Sequence, residues 1–296
     1  MNAAGIANQL GATFQSNNWR VPCPCQCGYP LTFRDAPDGR LLAFCFGGCE
    51  FNAIMAALVE YGLLDDDNSS LNTPPPNGRA VLDHEDEGER RRRIEKACAI
   101  YTGGIEDERI YKHLRSRCID LTSPILRFSE TAPHRTNVRL PAMLAPIVDV
   151  DGVQIGTHMT FLRRDGSGKA DLPKDLQCET RGALKGGAIR LMSFDPAGEL
   201  LVCEGIETAF SAAEIFGLPA WSAVFAGGLK TMVLPLEVRR VVIGMDNDVN
   251  GASQRNALTG HDRWTAEGRS VRLKCPPEPG TDFNDVLIER RSHARQ

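Results

Sequence analysis

The chain has 296 residues, 42% of them apolar and 24% charged, with a formal net charge of −4. This is the composition of a globular protein, and so small a net charge neither suggests nor excludes a polyanionic partner, because a net value hides local patches. No apolar run approaches the ~20 residues that span a bilayer. The opening M-N-A-A-G-I-A-N-Q-L lacks a basic region followed by an apolar core, so no secretory signal is expected. The expected compartment is the cytoplasm, where thiols stay reduced.

Ten cysteines in such a chain need an explanation, and five of them, Cys23, Cys25, Cys27, Cys45 and Cys49, fall close together near the start. Cys23-x3-Cys27, 17 intervening residues and Cys45-x3-Cys49 make two knuckles. The stretch joining them has a turn signal at Asp38-Gly39 flanked by alternating apolar residues, which predicts a hairpin. This is the layout of a zinc ribbon, in which four thiolates fill a tetrahedral structural site. Which of Cys23, Cys25 and Cys27 complete the set is open, with the matching spacings favouring 23 and 27 and Cys25 as the alternate. A disulfide-stapled knot is disfavoured by the missing secretion signal. Of the isolated cysteines, Cys203 and Cys275 stand in apolar strand-like runs that suit small core residues.

After the knuckles, F-N-A-I-M-A-A-L-V-E-Y-G-L-L has the spacing of a short helix ending near Gly62. Residues 65–88 are acidic and rich in Pro and Asn, the composition of a mobile linker between residues 1–64 and the rest. R-R-R-R-I-E-K-A-C-A-I-Y then begins a helix, with Arg90 to Arg93 on a helix face after the acidic linker, and E-R-I-Y-K-H-L-R-S-R predicts another. A-P-I-V-D-V-D-G-V-Q-I-G-T-H-M-T-F-L reads as two strands turning at Asp151-Gly152, and R-D-G-S-G-K at 164–169 as a second turn. That G-S-G-K is no P-loop, because it lacks the G-x4-G-K-S/T spacing.

From 199 strands alternate with helices. L-L-V-C, A-W-S-A-V-F-A, V-V-I-G-M and S-V-R-L-K-C read as strands. E-T-A-F-S-A-A-E-I-F, residues 252–267 and N-D-V-L-I-E-R-R read as helices. The pattern predicts a mostly parallel sheet covered on both faces, with ligands at the carboxyl ends of its strands. Acids fall at those ends: Glu204 after L-L-V-C, Asp246 and Asp248 after V-V-I-G-M, and Asp282 and Asp285 in T-D-F-N-D-V-L. A lone D-x-D is more often a helix cap than a metal ligand, and Asp248 before N-G-A-S-Q fits a cap. Three acidic turns, each after its own strand, favour a hard divalent ion.

Those turns resemble the Toprim domain shared by bacterial-type primases, type IA and II topoisomerases and certain nucleases. With the cysteine cluster, L-R-S-R-C-I, L-P-A-M-L-A-P-I-V-D-V-D-G, K-G-G-A-I-R-L and G-I-E-T-A-F-S-A-A, the chain resembles the Toprim primases of phages, plasmids and other mobile elements. The first knuckle departs from the pattern, with Gln26 where such primases often have a zinc-binding His. The resemblance implies an α/β Toprim-type domain with a mostly parallel sheet over residues 199–296. It is preceded by an α+β region over 89–198, the N-terminal part of a primase core, and by a small β zinc ribbon over 1–64.

It also implies template-directed synthesis of RNA primers on single-stranded DNA from ribonucleoside triphosphates, with a separately encoded helicase as a partner. Glu204, Asp246 and Asp248 become catalytic acids holding Mg²⁺ or Mn²⁺, with Asp282 and Glu207 beside them and one structural zinc ion on the cysteines. From the residues themselves, each of Lys185, Arg190, Lys230, Arg163, Arg164 and Lys169 taken alone reads as a solvated charge, but as a group on one face they would form the expected phosphate-binding set. Phe33 and Phe44 are expected either to stack on bases or to form the ribbon's core. The four tyrosines, Tyr29, Tyr61, Tyr101 and Tyr111, offer no persuasive topoisomerase nucleophile. A Toprim nuclease and a non-catalytic DNA-binding factor are the rival expectations.

Overall fold

The computed structural model describes residues 3–15, 18–25, 27, 29–36, 41–45, 49–64, 87–134, 136–171, 184, 186–225 and 227–294. Two units separate, Met1–Glu85 and Asp86–Gln296. The expected linker lies outside the described residues except for positions 87 and 88, which are already helical.

In the first unit, helix α1 (Ala3–Leu10) precedes strands β1 (Thr13–Gln15), β2 (Asn18–Pro22), β3 (Pro30–Asp35) and β4 (Leu41–Cys45), and helix α2 (Phe51–Glu60) follows. The strands form an antiparallel sheet in chain order. The expected hairpin is the β3–β4 pair, whose Asp38-Gly39 turn lies outside the described residues. Period-two alternation sends Leu31 and Phe33 inward, where they meet Ile6, Val21, Ile54 and Leu58 in a small core. Phe33 is thereby a core residue, whereas Phe44 is 60% exposed. Helix α2 stops where expected. Gly62 takes φ +68°, and the Leu63 amide reaches back to the Leu58 carbonyl, an arrangement that favours glycine.

The second unit opens with α3 (Glu87–Thr102), α4 (Glu108–Ser116) and the antiparallel sheet β5 (Arg127–Pro133), β6 (Arg139–Val148) and β7 (Gln154–Phe161). The β6–β7 turn is closed by Asp149, whose carboxylate accepts the amides of Asp151 and Val153. Next come β8 (Leu200–Cys203), α5 (Ile206–Phe216), β9 (Ala220–Ser222), α6 (Gly228–Thr231), β10 (Arg240–Gly244), α7 (Ala252–Ala266), β11 (Ser270–Lys274) and α8 (Phe283–His293). These four strands pair in parallel in the order β11-β10-β8-β9.

Apart from Arg240 at the start of β10, the two central strands are apolar because both faces are covered. Leu201, Cys203 and Val242 join one core, and Leu200, Val202, Val241 and Ile243 the other. Among the described residues no helix is long and apolar enough to cross a membrane. One expectation fails. Cys275 is exposed, because β11 is an edge strand and the chain leaves the sheet just before it. Cys203, in the central strand β8, is buried as expected.

Candidate functional site

Parallel pairing brings the carboxyl ends of β8 and β10 level, with Gly244 opposite Cys203. Glu204 and Asp246, just beyond those ends, line one pocket of about 260 Å³ together with Asp282, Glu207, Arg117 and Lys169. Four acids against two cations leave the pocket electronegative. Burial raises the Glu204 carboxyl and the Asp248 charge adds to this, while a hydrogen bond from Ser253 opposes it. Burial, followed by the charges of Glu204, Asp282 and Asp248, pushes Asp246 up to about 7.

Glu204 Oε1 and Asp246 Oδ1 are both buried without a hydrogen-bond partner. Orphaned carboxylate oxygens are costly and rare in folded proteins. Two of them in one electronegative pocket fit a hard divalent cation, which takes carboxylate oxygens as ligands.

The other acids divide their duties. Asp248 Oδ2 accepts the Ser253 amide at 3.1 Å in the first turn of α7, so the cap-like role that the sequence allows is real. Asp248 does not line the pocket, although its charge acts on both Glu204 and Asp246. Asp282 is the N-cap of α8. Its Oδ1 accepts the amides of Asn284 and Asp285, while Oδ2 lies 3.5 Å from the Thr208 hydroxyl on the pocket side. Asp285 completes the capping box by accepting the Asp282 amide, which is a structural task.

Glu207 is engaged elsewhere, accepting from Lys169 Nζ at 2.8 Å and lying 3.2 Å from Nε2 of the fully buried His113. Burial alone would raise its carboxyl, but His113 and Lys169 outweigh that and hold it well below the usual range. A carboxylate so paired anchors the lysine at the pocket rather than offering itself to a metal.

Of the expected basic set, only Lys169 among the described residues lines the pocket. Arg163, Arg164 and Lys230 are exposed, and Lys185 lies outside the described residues. The Arg190 guanidinium donates to the carbonyls of Asp149 and Val150 and lies 4.7 Å over the Trp221 ring, so the fold itself uses it. Two pocket features went unread in the sequence. Arg117 stands in L-R-S-R-C-I, where the motif was visible but nothing local said which arginine turns inward. Val224 takes φ +74°, an unusual conformation for a β-branched residue, of the kind that concentrates at functional sites. Its amide donates to Ser222 Oγ, and that hydroxyl donates to the Glu204 carbonyl, which ties the two pocket walls together.

In the first unit Cys23, Cys27, Cys45 and Cys49 bring their sulfurs within 4.8 Å of one another, and Cys25 is outside this set. The Cys27–Cys45 and Cys23–Cys49 sulfurs are 3.3 and 4.0 Å apart. A tetrahedral centre with Zn–S bonds of about 2.3 Å sets its sulfurs ~3.8 Å apart, so the four thiols fit one zinc ion. Without a metal, burial and then the neighbouring sulfurs push the Cys49 thiol up to about 12.

Residues 199–292 match the family model of the Toprim domain, and residues 89–191 match one described as a domain of unknown function (DUF7146). No curated protein sequence matches the chain. Among solved structures, the chain is similar to the zinc-binding and RNA polymerase domains of the Aquifex aeolicus primase. Identity there is 16% and the TM-score 0.41, covering 100% of this chain and 82% of that one. For the RNA polymerase domain of Mycobacterium tuberculosis primase DnaG the identity is 14% and the TM-score 0.39, covering 70% and 81%. For the primase fragment of the bacteriophage T7 primase-helicase protein they are 12% and 0.37, covering 85% and 87%.

Proposed function

We propose that this chain, which carries a Toprim domain in residues 199–292, is a DNA primase that makes short RNA primers on single-stranded DNA. The observation that carries the reading is the convergence of Glu204, Asp246 and Asp282 on one pocket that also holds Arg117 and Lys169. A tetrathiolate cluster in the same chain favours it over the nuclease reading, because that pairing is the one the sequence resemblance rests on.

A bound Mg²⁺ or Mn²⁺ would neutralise charge on a ribonucleoside triphosphate and activate a 3′-hydroxyl. Glu204, Asp246, Asp248 and Asp282 are the residues that would hold it. Arg117 and Lys169 sit where a phosphate leaving or entering the acidic pocket needs positive charge. Glu207 and His113 fix the lysine there. Arg163, Arg164, Lys230 and Lys185 supply a wider cationic footprint for the template. Zinc on the four cysteines keeps the four-stranded sheet rigid, with Phe44 exposed for stacking on a template base. Replication of a phage, plasmid or other mobile element, with a separately encoded helicase, is the setting the resemblance suggests.

The test is incubation of the full chain with single-stranded DNA, labelled ribonucleotides and Mn²⁺. Growth of labelled oligonucleotides, lost in Asp246→Asn and Asp248→Asn variants that still fold, is the expected result. Template cleavage without growth turns the assignment to a nuclease. DNA binding without any product turns it to a non-catalytic factor.

A further inference from the structure

Ser253 is fully buried in the first turn of α7, and its bonds run to the acidic turn after β10 rather than to its own helix. Its hydroxyl oxygen accepts the Asp246 amide at 3.0 Å. Its own amide donates to Asp248 Oδ2 at 3.1 Å. One small residue thus ties the turn after β10 to the start of α7 at two points. Helix propensity gives no reason for a serine here, since alanine suits a buried helical position better. An alanine would leave the Asp246 amide without its partner.

We infer that Ser253 is a positioning residue that holds Asp246 and Asp248 in the geometry that a divalent cation shared with Glu204 requires. This rests on the reading of these acids as a cation cradle. Ser253 is itself no ligand. It acts as outer partners of metal-binding carboxylates do, by limiting where the carboxylates point.

The experiment is a Mn²⁺ binding isotherm on the full chain, zinc-loaded and stripped of other divalent ions, for wild type, Ser253→Ala and Ser211→Ala, with the melting temperature of each before Mn²⁺ is added. Ser211 is an equally buried serine whose hydroxyl accepts from the Asn284 side chain and bonds neither Glu204 nor the turn at residues 246–248, so it controls for the loss of a buried hydrogen bond. Ser253→Ala should bind Mn²⁺ roughly 10- to 100-fold more weakly than wild type, while Ser211→Ala binds as wild type does. Before Mn²⁺ is added both variants should fold, with melting temperatures lowered by similar amounts for the buried hydrogen bond each loses. Equal affinity of Ser253→Ala and wild type overturns the inference, as does an equal fall in Ser211→Ala. A Ser253→Ala variant that does not fold before Mn²⁺ is added also overturns it, in favour of a purely structural role. Absence of any Mn²⁺ binding by wild type overturns the cation-cradle reading instead.

Discussion

Glu204 and Asp246 stand at the ends of neighbouring parallel strands, and each buries one carboxylate oxygen with no hydrogen bond. Without a cation the pair is a source of instability. The Asp246 carboxyl is raised from about 3.8 to about 7, so in the metal-free protein it holds a proton that the unfolded chain has already released. The sign follows from linkage: stability from this group is present below the unfolded value and is lost as pH rises through about 7. Metal-free wild type should therefore melt at progressively lower temperature between pH 5 and 8. Asp246→Asn, which removes the charge and keeps the shape, should flatten that slope. At pH 8 it should be more stable by on the order of 1–2 kcal/mol, discounted for the open side of the pocket. Melting curves at four pH values check this, and parallel slopes for the two proteins count against it.

Glu207 has the opposite sign. Its carboxyl is held low by His113 and Lys169 against the effect of burial, so its contribution is present above the ordinary glutamate range and fades as pH falls through and below it. Glu207→Ala leaves the buried His113 Nε2 without a partner and should cost about 1–3 kcal/mol at neutral pH. Glu207→Gln, which still offers an acceptor, should cost less than half of that. Urea melts of the two variants decide it, and equal losses would mean that the imidazole contact contributes nothing.

The sequence carried the parallel sheet well, because β8 and β10 are short apolar runs buried on both faces and their ends are marked by acids. Asp246 and Glu204 could be paired from that pattern alone. Helix α1 was legible in principle, since Ala3, Ile6, Ala7 and Leu10 have helical spacing, but one short helix beside polar residues gives a weak signal. Strand β2 was hidden by its shortness and by Pro22 at its end. The duties of the polar groups were not legible at all. Whether Glu207 binds a metal or a lysine depends on His113, 94 residues away. Whether Arg190 meets a phosphate or the carbonyls of Asp149 and Val150 depends on a turn 40 residues upstream. No local pattern encodes contacts of that range.

The turn at residues 223–225 forms one wall of the pocket through Val224 and Phe225. A Cβ built on Gly228 would lie 1.8 Å from the Ala223 carbonyl oxygen, a backbone atom held in place by the Phe225 amide. No rotation of a side chain relieves such an overlap, so the turn itself must move. Gly228→Ala should cost about 3 kcal/mol or more, in the range of severe overpacking. Gly217, where a Cβ would meet nothing within 4 Å but φ is +65°, supplies the comparison. Gly217→Ala should cost only about 1 kcal/mol, the penalty of a left-handed alanine. Denaturant midpoints of the two variants test the ranking, and a Gly228→Ala protein as stable as Gly217→Ala would mean that the turn is far more pliable than its packing implies.

The first unit has a core of few large residues, chiefly Ile6, Leu31, Phe33, Ile54 and Leu58. A core this small rarely stabilises a domain on its own, and units of this size commonly depend on a metal. Cys45 pairs in register with Leu31 at the centre of that core, so a ligand lost there is lost where the sheet and α2 meet. Chelation of zinc, or Cys45→Ala, should therefore unfold residues 18–64, since binding free energy at a structural site is folding free energy. Amide exchange followed by mass spectrometry reads this segment by segment. Fast exchange of β2–β4 after chelation, with β8 and β10 still protected, is the expected pattern. Unchanged protection of β3 and β4 in the chelated protein would show that the four thiols carry no structural metal.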